Sequence, residues 1–230
     1  MPAAFDRHSS TYEAAIEQAI GFAGQPHDVY VEAKARRLLE LARRRLGADP
    51  GEALDVGCGI GLVDRHVGSH VRSLHGVDVS RAVVERARQA NADVEYAVYD
   101  GRRLPYDAGK FDLVFAVCVL HHVRRTERPA LLAEMARVTR PGGLVVVFEH
   151  NPWNPLTRKA VRGCAFDEGA ELLSLRQLVG AMRRARLDPV DADYLLFVPW
   201  RMRFVEAIER RLTRVPLGAQ YVVAARRPGA

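Results

Sequence analysis

The stretch LDVGCGIG at residues 54–61 decides the fold of this chain. Its apolar start leads into three glycines, Gly57, Gly59 and Gly61, which alternate with other residues. Glycine adopts turn conformations without a Cβ clash, and a loop of this kind presents backbone amides at the start of a helix. The stretch therefore predicts a strand, a turn and a helix that bind a nucleotide-like ligand. A purely structural glycine loop is the alternative.

The acid at the start of this loop favours a cationic ligand. Asp55 precedes the glycines, and its carboxylate would repel a pyrophosphate but attract an ammonium group. A dinucleotide site would have the spacing G-x-G-x-x-G, whereas the loop here is G-x-G-x-G. The loop therefore favours a positively charged cofactor over a nicotinamide dinucleotide.

Strand-like and helix-like segments alternate along the chain. Apolar spacing predicts a helix at 28–46, a helix that Ser80 caps and another that Pro129 opens. The predicted strands lie at 52–57, 71–77, 93–98, 112–119 and 144–149, and later elements are a helix near 174–186, a strand near 192–198, a helix near 202–213 and a strand near 219–226. This order predicts an α/β fold with a Rossmann-like, seven-stranded, mostly parallel sheet and helices on both faces.

We expect a single domain with three parts. The length of 230 residues suits one core, and we find no internal repeat or low-complexity segment. Residues 1–27 are expected to form an N-terminal helical cap, residues 50–150 the cofactor-binding core, and residues 151–230 a C-terminal part that contributes to the substrate pocket.

Composition and charge limit the classes of function. Hydrophobic residues make up 48% and charged residues 27% of the chain, as in globular proteins. The absence of a long apolar run and of a signal-like N-terminus predicts a cytoplasmic protein without a membrane span. Cys58, Cys118 and Cys164 form no CxxC pair, so neither disulfides nor a zinc site is expected. The net charge of +6 comes from scattered arginines, which favours solvated helix faces over a nucleic-acid partner.

Two more acids follow the next strands. Asp78, in GVDVS at 76–80, ends the second predicted strand, where an acid can accept hydrogen bonds from both hydroxyls of a ribose. Helix capping is its alternative role, for which Ser80 is better placed. Asp100, in YDGRRLPY at 99–106, follows the third strand. The position of Asp78 favours an adenosine-containing cofactor.

Five motifs in this order resemble the class I S-adenosylmethionine (SAM)-dependent methyltransferases. They are DVGCGIG, VDVS, YDGRRLPY, FDLVFAVCVLHHV and RPGGLVVVFE, and they occupy about residues 50–150. The chain looks most like the methyltransferase type 11 branch, which includes enzymes of ubiquinone and menaquinone biosynthesis. The resemblance implies transfer of a methyl group from SAM to an oxygen, nitrogen or carbon atom of a small molecule, with S-adenosylhomocysteine as the product.

The resemblance also implies the residues that bind SAM. Asp78 would hold the ribose, Val79 would pack on the adenine, and Asp100 with the Gly101 amide would read the adenine edge. Tyr12 is the candidate for an aromatic residue that closes the pocket, although a tyrosine packs against helices equally well. The full set is Tyr12, Asp55, Gly57, Cys58, Gly59, Gly61, Asp78, Val79, Asp100, Gly101 and Cys118.

Three histidines are the candidate catalytic residues. His121 and His122 follow the fourth predicted strand and His150 the fifth, at the edge where open α/β sheets bind ligands. A histidine can remove a proton from an acceptor, and we choose His122 first, then His121 and His150. The alternative is catalysis by positioning alone. A metal held by these histidines and Glu149 is conceivable, but adjacent histidines chelate poorly, so no metal is predicted.

Two other functions stay open. A basic chain could methylate RNA or protein, and a relative of this fold could bind SAM without transferring its methyl group. The expected partner is a small-molecule substrate, and a homodimer is compatible with the sequence. The acceptor pocket is expected from residues 1–30, 104–108 and 150–205, with apolar material from Trp153, Phe166, Tyr194, Phe197, Trp200 and Phe204.

Overall fold

A computed structural model of the chain describes residues 26–196 and 212–229. The predicted cap at 1–27, including Tyr12, and the predicted helix near 202–213 lie almost entirely outside the described residues, as do Phe197, Trp200 and Phe204. The described helices and strands are α1 (His27–Leu46), β1 (Glu52–Val56), α2 (Asp64–Val67), β2 (Ser73–Asp78), α3 (Arg81–Ala90), β3 (Glu95–Val98), β4 (Phe111–Val117), α4 (Arg128–Val138), β5 (Thr139–His150), α5 (Pro155–Gly163), α6 (Leu175–Arg184), β6 (Asp188–Leu195) and β7 (Gln220–Arg226).

The seven strands form one sheet in the order β3-β2-β1-β4-β5-β7-β6. Strands β1 to β5 pair in parallel, and β7 runs antiparallel to both of its neighbours. The predicted Rossmann-like, mostly parallel sheet is therefore confirmed. The chain passes from β1 to β2 on one side and later returns to β4 on the other, and ligands bind beside such a switch point at the carboxyl ends of the strands.

Both faces of the central strands are buried. Side chains alternate along a strand, so Val114 and Ala116 of β4 join the core beneath α4 and α6, while Leu113 and Phe115 join the core beneath α1, α2 and α3. Near-continuous apolar runs are what a parallel strand covered on both faces requires. Within the described ranges, we find no helix with the length and apolar character needed to cross a membrane.

The edge strand β6 begins at Asp188, four residues before the predicted start near 192. Its acids obscured the strand pattern, but they have partners on α1. Asp191 lies 2.6 Å from Arg44 and 2.5 Å from Arg45, and Asp193 pairs with Arg37. These arginines therefore attach α1 to the sheet, which corrects the expectation that they only form solvated helix faces.

Strand β4 ends at Val117, two residues before its predicted end at 119. Cys118 has a positive φ of 59°, which an L residue rarely adopts and which is common next to functional sites. The chain therefore turns at Cys118, and a short 3-10 turn follows at Leu120–His122. This turn carries two of the candidate histidines.

Candidate cofactor and acceptor site

A cavity of about 470 Å³ opens at the carboxyl ends of β1, β2, β4 and β5. His121, His122 and His150 line it together with eight of the residues predicted to bind the cofactor. Gly61 and Asp100 are not among its lining residues. The eight cofactor residues are Asp55, Gly57, Cys58, Gly59, Asp78, Val79, Gly101 and Cys118.

The glycine loop passes close to its neighbours. The amides of Gly57 and Cys58 both donate to the Val77 carbonyl oxygen, at 2.7 and 3.0 Å. Gly57 has φ +80°, and a Cβ there would lie 2.6 Å from a methyl group of Val119. Gly61 has φ +76°, and a Cβ there would lie 2.3 Å from the side-chain nitrogen of Asn91. A side chain at either position would collide with this packing.

Asp78 is fixed between the loop and the next helix. Its Oδ2 accepts a hydrogen bond from the Gly59 amide and its Oδ1 accepts one from the Ser80 amide, both at 3.0 Å. The Ser80 hydroxyl in turn accepts from the Val83 amide at the start of α3, so the predicted cap is confirmed. Asp78 is thus an oriented carboxylate in the cavity wall.

Asp55 is buried in the same wall. Among the described residues its Oδ1 meets no hydrogen-bond donor. Burial, reinforced by Asp64 and Asp78, raises the pKa of Asp55 well above its usual value. Burial also raises the pKa of Asp64 to about 6, although the Tyr96 hydroxyl donates to its carboxylate at 2.7 Å. A buried oxygen without a donor is costly, and an ammonium group would satisfy it.

Asp100 is exposed and turned toward its own loop. Its Oδ1 accepts from the amides of Arg103 and Arg102, at 2.9 and 2.8 Å, and these bonds lower the pKa of Asp100. The neighbouring Gly101 lines the cavity instead. The structure therefore brings the Gly101 part of the predicted adenine contact to the cavity, while the Asp100 carboxylate lies away from it.

The histidines form a cluster with two acids. His121 Nδ1 lies 2.7 Å from Glu149 Oε2, and His121 Nε2 lies 3.3 Å from Asp167 Oδ1. His122 Nε2 is 3.4 Å from the same Asp167 oxygen. The ring centre of His150 is 4.9 Å from that of His121. We call these five residues the histidine cluster.

The three histidines have very different proton affinities. Burial disfavours the charged form of His121, but Glu149 and Asp167 outweigh burial and raise the pKa of His121 to about 10. Burial and the charge of His121 lower the pKa of His122 to about 3 and that of His150 to about 4. The two carboxylates therefore favour the protonated form of His121 over that of its two neighbours.

Sequence reasoning missed Asp167, which lies in a 3-10 turn at Ala165–Asp167. Its contact with His121 joins residues that are 46 positions apart, and no local pattern indicates such a contact. Phe166 lines the cavity as expected. Trp153 does not line it and is 72% exposed, and residues 104–107 border a separate cleft.

Comparison with known proteins shows a match to one family over part of the chain. Residues 54–147 match the family model described as a methyltransferase domain. A demethylmenaquinone methyltransferase from Beutenbergia cavernae is 36% identical over 113 residues, which are 48% of this chain and 46% of that protein. A malonyl-[acyl-carrier protein] O-methyltransferase from Serratia marcescens is 31% identical over 142 residues, which are 60% of this chain and 55% of that protein. The chain spans about half the length of these relatives.

The fold has counterparts among solved structures. A SAM-dependent methyltransferase from Thermotoga maritima superposes with a TM-score of 0.69, at 20% sequence identity, over 99% of this chain and 100% of that chain. At this identity the likeness shows the fold alone. Together with the family match, it confirms the resemblance that the five motifs predicted.

Proposed function

We propose that this chain, whose residues 54–147 match a methyltransferase domain, is a class I SAM-dependent methyltransferase that methylates a small molecule. The observation that carries the proposal is one shared cavity, in which the glycine loop and two fixed acids lie beside the histidine cluster. SAM supplies a methyl group on a sulfonium when it is bound. The chain itself must hold this donor, orient the acceptor and exclude water.

The cofactor half of the cavity suits SAM. The unpartnered oxygen of Asp55 would accept hydrogen bonds from the ammonium group, and Asp78, held by two amides, would bind the ribose hydroxyls. Gly57 lines the cavity without a side chain, so the methionine part can approach its backbone. Val79 and Gly101 would contact the adenine.

The acceptor half contains the candidate catalytic histidines. The side chain of His122 is 19% exposed and that of His121 is 1% exposed, so of these two His122 is the more accessible to an acceptor in the cavity. An imidazole nitrogen there can accept a hydrogen bond from a hydroxyl, enol or amine and orient it. His121 packs against His122, and His150 packs against His121, so these two rings would help to hold His122 in place.

A small-molecule acceptor agrees with the name of the Beutenbergia relative, a demethylmenaquinone methyltransferase. No contact among the described residues favours RNA or protein as a substrate. We propose that residues 1–230 act as one domain, with the cap at 1–27 and the segment 151–230 completing the acceptor pocket. The homodimer and the cytoplasmic location stay predictions.

Calorimetric titration of SAM into the purified chain tests the cofactor assignment. Asp78→Ala removes the carboxylate that would bind the ribose, so we expect affinity to fall more than tenfold, or about 1.4 kcal/mol. Asp93→Ala, which changes an exposed acid, is the matched control and should bind SAM like the wild type. Equal affinity in the two variants would count against the assignment.

Release of S-adenosylhomocysteine in the presence of candidate acceptors tests methyl transfer itself. We expect acceptor-dependent release for a small molecule. A chain that binds SAM tightly but transforms its substrate without this release would instead be a non-methylating relative.

A further inference from the structure

Three potential metal ligands converge on one point of the cavity wall. One ring nitrogen each from His121 and His150 and one carboxylate oxygen of Asp167 lie within 4.8 Å of one another. The distance from His121 Nε2 to Asp167 Oδ1 is 3.3 Å, about the ligand–ligand separation around a tetrahedral ion with bonds of about 2.1 Å. The three residues come from three different segments, so the set does not depend on chelation by adjacent histidines.

Each histidine of this set also contacts a further side chain through a ring nitrogen. Glu149 accepts a hydrogen bond from His121 Nδ1, which leaves Nε2 directed at Asp167. Gln220 Nε2 lies 3.3 Å from His150 Nδ1, and Gln220 Oε1 is buried without a donor among the described residues. Rotating the Gln220 amide by 180° lets its Oε1 accept a hydrogen bond from His150 Nδ1–H. The lone pair on His150 Nε2 can then bind a metal ion. Metal-binding histidines are commonly oriented by such oxygens.

The charge of the cluster also favours a cation. An ion bound to His121 Nε2 takes the place of the proton on that nitrogen, so with neutral imidazoles Glu149 and Asp167 contribute two negative charges, and the Glu149 side chain is completely buried. Buried charge without a counter-charge is costly. Lys34 lines the same cavity but offsets only one of these charges, whereas a divalent ion on Asp167 would balance both carboxylates.

We propose that His121, His150 and Asp167 bind one divalent transition-metal ion, and that an oxygen of the acceptor becomes a further ligand of this ion. Imidazole and carboxylate ligands suit ions such as Zn²⁺, and three protein ligands leave a position open for substrate. A metal-bound hydroxyl loses its proton more readily. The acceptor would therefore be a hydroxyl or enol, and this second part of the inference rests on the proposed function.

The proposal departs from the sequence-based prediction of no metal. That prediction considered His121, His122, Glu149 and His150, of which the first two are adjacent. Asp167 replaces one adjacent histidine as a ligand, and Glu149 becomes the residue that orients His121. The ligand set could be assembled only once the turn at Ala165–Asp167 was placed against the sheet.

Titration of Zn²⁺ and Co²⁺ into the chelator-treated full chain tests metal binding without any activity assay. We expect about one ion per chain and, with Co²⁺, the visible absorption of a low-symmetry site with nitrogen and oxygen ligands. Asp167→Ala and His150→Ala should each weaken binding at least tenfold. His70→Ala, which removes an exposed histidine, is the matched control and should leave the affinity unchanged.

Two results would overturn the metal site. One is wild-type chain that takes up no stoichiometric Zn²⁺ and develops no Co²⁺ absorption. The other is the same affinity in Asp167→Ala as in His70→Ala. If Asp167→Ala does not fold, the Co²⁺ spectrum of the wild type decides the question alone.

A parallel titration with SAM separates this inference from the proposed function. SAM binding without metal binding would reject the metal site and retain the methyltransferase. Metal binding without SAM binding would retain the metal site and reject the proposed methyltransferase function. A metal-loaded chain whose Co²⁺ spectrum does not change with any hydroxyl or enol acceptor that it methylates would reject the acceptor–ion contact.

Discussion

Gly61 and Gly47 have the same backbone conformation in very different surroundings. Both have φ +76°, but a Cβ on Gly47 would meet nothing within 4 Å, whereas a Cβ on Gly61 would lie 2.3 Å from Asn91 Nδ2. Asn91 cannot simply move, because its amide binds the Gly61 carbonyl and the Tyr96 hydroxyl. Substitution of Gly47 therefore tests backbone strain alone, whereas substitution of Gly61 tests backbone strain together with a steric collision.

We predict that Gly47→Ala lowers the free energy of unfolding by about 1–2 kcal/mol, the cost of placing an L residue in the left-handed region. Gly61→Ala should cost more, because the same strain is joined by loss of the Asn91 contacts, and it should also weaken SAM binding. Urea unfolding and calorimetry measure the two effects. Equal destabilisation by both substitutions would show that the collision is relieved cheaply.

The glycine loop could be predicted because few residues other than glycine adopt the left-handed backbone conformation of such a turn. Asp78 was also predictable, since it directly follows a strand that the apolar pattern marks. Asp167 was not, because its position depends on how the segment after α5 packs against the ends of β4 and β5. A pattern of neighbouring residues carries no information about that packing.

At the scale of elements, α6 begins with a complete capping box. The Ser174 hydroxyl accepts from the Gln177 amide, and the Gln177 side chain accepts from the Ser174 amide at 2.7 Å. We predict that Ser174→Ala lowers the free energy of unfolding by about 1 kcal/mol. The melting temperature should fall by about 2–4 °C, while SAM affinity stays unchanged because Ser174 does not line the cavity.

The exposed Ser69 supplies the control for this substitution. Ser69→Ala changes the same side chain outside the capping box of α6 and should leave the melting temperature within about 1 °C. A loss of stability in Ser69→Ala as large as that in Ser174→Ala would remove the capping box as the cause.

The central strands and the edge strand differ in how well the sequence predicts them. Strands β4 and β5 are apolar on both faces because helices cover both, so their pattern is visible without knowledge of the fold. Strand β6 carries Asp188, Asp191 and Asp193, and the last two form ion pairs with arginines of α1. The start of β6 therefore depends on tertiary contacts, and the local pattern predicted it four residues too far along the chain.

For the molecule as a whole, the mostly parallel, seven-stranded sheet could be predicted from the alternation of strands and helices. The different surroundings of the three histidines in the cavity could not be predicted in this way. The sequence placed three histidines at one edge of the sheet without distinguishing their environments. In the folded chain, contact with two carboxylates separates His121 from His122 and His150. Such differences arise from burial and charge at distances that only the complete fold sets.

The stability of the whole chain should depend on pH through the buried acids Asp55 and Asp64. Burial raises the folded-state pKa of Asp64 to about 6, above its value of 3.8 in the unfolded chain, and raises that of Asp55 as well. A raised carboxyl pKa means that the folded state binds more protons, so stability falls as pH rises through this window. The contribution of Asp64 is fully present below about pH 4 and is lost as pH rises through about 6.

Asp64→Asn removes the Asp64 part of this titration while keeping an oxygen that can accept from the Tyr96 hydroxyl. We therefore predict that the variant gains stability relative to the wild type as pH rises from about 4 to about 7, as measured by urea unfolding without SAM. The exposed Asp93→Asn is the control and should follow the wild type. Saturating SAM should reduce the wild-type loss, because an ammonium group beside Asp55 favours its charged form. Parallel pH profiles for the wild type and Asp64→Asn would mean that Asp64 is not a source of the dependence.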